Sequence, residues 1–90
     1  MKNRQIMSPL TLKINALLEQ KAEILYQIYK NKKLSKRLDY QYQKMDEINK
    51  QYNKHGIGVM KERLINLNNN LLAEAEKINK KIDLIRLYKL

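Results

Sequence analysis

No cysteine, phenylalanine or tryptophan occurs in these 90 residues, and the chain holds only two glycines and one proline. Without cysteine there is no disulfide and no thiolate metal site, which fits a reducing compartment. Without Phe or Trp, any core must be aliphatic with some help from tyrosine. With so little Gly and Pro the chain has few places to turn, and an all-helical, loop-poor molecule follows. Long apolar runs are missing too: no stretch approaches the roughly 20 residues of a membrane span. Lys2 and Arg4 resemble the start of a signal segment, but Ser8, Pro9 and Lys13 interrupt the apolar region that would have to follow. The expected setting is cytoplasmic. Acidic residues are also scarce, 9 against 19 Lys and Arg, leaving a formal charge of +10. Such an excess favours a polyanionic partner: nucleic acid, an acidic protein face or an anionic lipid surface.

What the chain does have is hydrophobic periodicity. Leu10, Ile14, Leu17, Ile24, Ile28, Leu38, Tyr42, Met45 and Tyr52 fall on one ladder of alternating 3- and 4-residue steps. A second ladder runs through Ile57, Met60, Leu64, Leu67, Leu71, Ala75, Ile78, Ile82 and Ile85, with a 4-4 stutter between Leu67 and Ala75. This spacing belongs to helices that need a partner helix. Residues 1–7 carry no periodicity and read as a flexible N-terminus; residues 8–90 read as one helical domain. Ser8 is placed to cap the first helix, with Pro9 at its first position. Gly56, preceded by His55, looks like the end of that helix, because glycine suits the left-handed position after a C-terminus. The expectation is an antiparallel helical hairpin or coiled coil, with a long helix over about 9–54 and a second over about 59–88. The alternative is a three-helix bundle with a break near 31–35, where Asn31 and Ser35 occupy ladder positions.

A turn at Gly56 would set opposite each other residues whose numbers add to roughly 112–114. The first helix, near 69 Å at about 1.5 Å per residue, would then overhang the second. The overhang carries Leu10, Ile14, Leu17 and Leu18, which with Leu25 form a candidate apolar association surface. Burying four such side chains is worth on the order of 6–10 kcal/mol, so self-association, as a homodimer, or docking on a protein is expected. The same register would gather Lys30, Lys32, Lys33, Lys36, Arg37, Lys77, Lys80 and Lys81 into a basic belt flanked by Tyr26, Tyr29 and Tyr40. Such a belt can hold an anionic partner, or it can be no more than a solvated face.

Chemistry is poorly provided for. Ser8, Thr11 and Ser35 lack a positioned base, and the one histidine, His55, is read as part of a helix end. No carboxylate pair spans a cleft, no metal-ligand set includes His55, and no glycine-rich phosphate loop exists. The stretch Leu17-Leu18, Lys21 and Lys32 faintly resembles the first helix of the helical chorismate mutases, yet the later Arg-Glu pair and Gln of that family have no counterpart here. The expectation is a non-enzymatic protein with no catalytic residue, metal or cofactor. It would be a small basic interaction protein, an adaptor or inhibitor, and its Lys-, Asn- and Ile-rich composition suits a phage- or plasmid-encoded product. Alternatives are a nucleic-acid-binding accessory factor and a structural or secretion-associated coiled coil. A third is a bundle similar in size and basicity to bacteriocin-immunity proteins.

Overall fold

The computed structural model describes residues 8–89; the expected flexible segment 1–7 lies outside them. Two helices account for nearly all of the described chain, α1 over Pro9–Gln43 and α2 over Glu47–Lys89. They pack against each other as an antiparallel hairpin, a slab measuring 68 × 29 × 13 Å. Ser8 caps α1 as its sequence implies: it is extended, and its Oγ accepts from the Thr11 amide at 3.1 Å. Pro9 follows at the first helical position, where its missing N–H costs nothing. The helix then passes through residues 30–37 unbroken, so the three-helix alternative is not adopted.

The reversal lies at Lys44, Met45 and Asp46, not at Gly56, and this corrects both helix boundaries. Asp46 makes the new start possible. Its Oδ1 accepts from the Asn49 amide at 2.8 Å and its carbonyl from the Lys50 amide at 2.9 Å, while Glu47 adds a negative charge to the first turn of α2. The Asp46 carboxylate thus serves as a helix cap. On the other side of the turn, the amides of Lys44 and Met45 bond to the carbonyls of Tyr40 and Tyr42. Gly56 and Gly58 sit inside α2 with ordinary helical backbone, and neither has a positive φ. His55 is therefore mid-helix and caps nothing.

Magnitudes explain the choice. Two glycines within a helix cost about 2 kcal/mol relative to alanine. A corner at Gly56 would leave the start of α1 bare, whereas the observed turn lays it along the end of α2. Leu17 is then buried with Ile78 and Ile82, and Ile14, Ile24 and Ile85 pack around them. Covering Leu17 and Ile14 alone recovers about 4 kcal/mol, more than the glycines forfeit. The apolar overhang expected at Leu10, Ile14, Leu17 and Leu18 does not exist.

The register is set by a side-chain pair. Asn31 Nδ2 donates to Asn68 Oδ1 at 2.9 Å across the partly buried seam, so facing residues have numbers that add to about 99. On α1 the seam follows Ile14, Leu17, Lys21, Ile24, Ile28, Asn31, Ser35, Leu38 and Tyr42, all buried or half-buried. On α2 it follows Ile57, Lys61, Leu64, Asn68, Leu71, Ala75, Ile78, Ile82 and Ile85. Both are unbroken heptads, and the stutter disappears. Lys61 and Asn68 hold seam positions instead of Met60 and Leu67, which are 46% and 51% exposed. Lys61 turns its ammonium to Asp39, a bond that spares it an unpaired place between the helices. Replacing Asn31 by Leu alone should orphan the Asn68 amide and lower stability by about 1 kcal/mol, whereas Leu at both positions should restore or exceed the wild-type value. Denaturant midpoints of the two variants check this.

Candidate functional site

The new register divides the expected basic belt. Lys77, Lys80 and Lys81 lie level with residues near 18–22 of α1, centred about 20 Å along the rod from the other cluster. There Lys77 and Lys81 share a groove with Gln20, Glu23, Gln27 and Glu74. Their charge is partly offset by carboxylates, and they do not join the lysines of residues 30–37. Opposite those residues α2 supplies a largely neutral stretch, with Leu64, Ile65, Asn66, Leu67, Asn68 and Asn69 in sequence.

What remains is a stripe on α1 alone. Lys30, Lys33, Leu34 and Arg37 line one shallow trough on its outer side. Lys36 is exposed beside it, and Lys32 projects toward one broad face of the slab. Three tyrosines are built into this stripe by helical spacing, since residues four apart stack along one face. Lys30 Nζ sits 4.9 Å from the Tyr26 ring centre, Lys33 Nζ 5.3 Å from Tyr29, and Lys44 Nζ 5.1 Å from Tyr40. Tyr26 and Tyr29 stack at 6.4 Å with their planes 24° apart. The rings stay 54–60% exposed. Sequence reasoning placed these tyrosines beside the lysines; it did not foresee the i, i+4 pairing that holds each ammonium over a ring. From residue 24 to residue 38 there is no acid on α1, and Asp39 is already engaged by Lys61. The stripe is therefore uncompensated positive charge over about 21 Å of helix.

The candidate apolar surface is dispersed. Leu17 belongs to the core, and Ile14 is half-buried against it. Leu10, Leu18 and Leu25 keep 37%, 42% and 45% of their surface. Heptad geometry puts Leu18 and Leu25 on one broad face of the slab, together with Ile65 and Leu72 of α2, 57% and 49% exposed. Leu34, Met60 and Leu67 lie on the opposite face, whose groove farther along is lined by Gln20, Gln27 and Glu74. His55 shares an open groove with Gln51, Lys54 and Glu62. Among the described residues no three His, Cys, Asp or Glu side chains gather in a way that could hold a metal ion, and no helix is long and apolar enough to cross a membrane. Compared with family models, with curated proteins and with solved structures, the chain matches none.

Proposed function

We propose that this protein is a non-enzymatic docking module that holds a polyanionic partner, a nucleic-acid backbone, along the outer side of α1. The observation that supports it is the uncompensated run of Lys30, Lys33 and Arg37, continued by Lys44 and interleaved with exposed tyrosine rings. Lysines repeated at 3- and 4-residue steps offer ammonium groups about 5 Å apart along the axis, close enough to follow successive phosphates. The tyrosine rings offer faces on which unpaired bases stack, an interaction indifferent to sequence. Nothing in the stripe resembles an element that reads base edges in a groove, so the binding is non-specific. The proposed role is that of an adaptor or inhibitor working by occupancy.

Fluorescence anisotropy of a labelled single-stranded oligonucleotide, titrated with the full chain at several salt concentrations, tests the reading. About four cations in contact should give a slope of log K against log salt between roughly −3 and −4. Binding absent at low salt, or indifferent to salt, would overturn it. Polyglutamate competing as well as the oligonucleotide would assign the stripe to an acidic protein surface instead.

A further inference from the structure

We infer that two copies of this hairpin stack through the face bearing Leu18, Leu25, Ile65 and Leu72, related by a two-fold axis parallel to the rod. The first ground is the thinness of the molecule. In a slab of two helices, 13 Å in its least dimension, none of the described side chains is fully enclosed. Even Ala75 and Ile82, the best buried residues, keep 4% of their surface, while the four pad residues stay 42–57% exposed. Apolar residues at the seam and at this flanking position, four here against Leu34, Met60 and Leu67 on the opposite face, make the wider stripe of a helix in a bundle, not the two-position seam of a lone pair. Ala22 extends the pad along α1. A face some 30 Å long and two helices wide offers on the order of 800 Å² per copy, the size of a standard interface.

The second ground is charge, and it selects a copy of this chain as the occupant. Although the molecule carries +10, this face is close to neutral and divided lengthwise. Its α1 flank holds Lys32 and Lys36, with Asp39 beyond them already paired to Lys61; its α2 flank holds Glu62, Glu76 and Asp83, with Arg86 farthest from the bend. An axis along the rod sets α1 of one copy on α2 of the other. Lys36 then stands level with the second copy's Glu62, and Leu25 level with its Leu72, because both pairs obey the same register as Asn31 and Asn68. An axis across the rod would instead press the acidic flank of α2 against itself, which is unfavourable. In the favoured arrangement every helix is antiparallel to its neighbours, as in a four-helix bundle. The stripe at Lys30, Lys33 and Arg37 stays outside, once on each copy.

The test uses the full chain and does not depend on nucleic acid. Sedimentation equilibrium should give about twice 10.8 kDa, and Leu25→Asp with Leu72→Asp should give a single-chain mass with helical circular dichroism retained. A wild type that stays at the single-chain mass up to millimolar concentration overturns the inference, as does a dimer that survives both aspartates. Since the natural chain has no cysteine, a Leu25→Cys chain mixed with a Leu72→Cys chain should form a mixed disulfide dimer under mild oxidation. Should the double aspartate variant fail to fold, this mixture decides alone: cross-linking only within each variant, or none, overturns the axis.

Discussion

A chain carrying Lys30→Glu, Lys33→Glu and Arg37→Glu is expected to lose oligonucleotide affinity by at least 100-fold at low salt, with its helical content unchanged. Each lost phosphate contact removes about one unit from the salt slope, and each new carboxylate adds repulsion where attraction had been. The three side chains are exposed and take part in no buried contact, so the fold has little reason to respond. New like-charge neighbours along the helix cost only a few tenths of a kcal/mol each. The informative control is Lys77→Glu, Lys80→Glu and Lys81→Glu. It lowers the formal charge by the same amount, but in a cluster where Glu23 and Glu74 already partly offset Lys77 and Lys81. Its loss should be no more than a few-fold. Equal losses from both triples would reduce the interaction to the field of the whole molecule and remove the stripe as a site.

Replacing Gly56 and Gly58 by alanine is expected to stabilise the protein by about 2 kcal/mol, raising the melting temperature by about 10 °C. Both glycines lie within α2 on helical backbone, and a methyl group added at either meets no atom within 4 Å. Alanine there removes only the entropy that glycine loses on entering a helix. Thermal unfolding followed by circular dichroism measures the effect. The sign decides where the chain reverses: at a left-handed corner the same substitutions would destabilise.

The sequence made the helical hairpin plain because its periodic ladders are long and strong, and the phase through residues 30–37 was kept by residues that all accept helix. The place of the turn was harder to see. Glycine is the louder local signal, while Asp46 followed by Glu47 reads equally well as a helix interior or a helix start. Only the burial gained along the whole length of α1 decides between them, and that is a property of the pair of helices. The seam of α2 was obscured for a related reason. Met60 and Leu67 outweigh Lys61 and Asn68 on any hydropathy scale, yet the polar residues take the seam because Asp39 and Asn31 wait opposite as partners. With the register displaced, the grouping of Lys77, Lys80 and Lys81 with residues 30–37 could not survive. The tyrosine–lysine stripe did, since it depends on one helix and not on how two are aligned.

The best-buried cluster joins Leu17 to Ile78 and Ile82, at the end of the rod remote from the reversal. Near the bend the seam is interrupted by Ser35, Asn31, Asn68 and Lys61, and α2 outlasts α1, at 43 residues against 35, with Tyr52 left 83% exposed. A folding chain therefore gains little from closing the shortest loop first. It must bring together segments some sixty residues apart before cohesion rewards the closure, and this is slow for a molecule built only of helices. Amide exchange should follow the same gradient, fastest beside the bend and slowest around Ile82, so that the rod opens from its bend while Leu17, Ile78 and Ile82 stay packed.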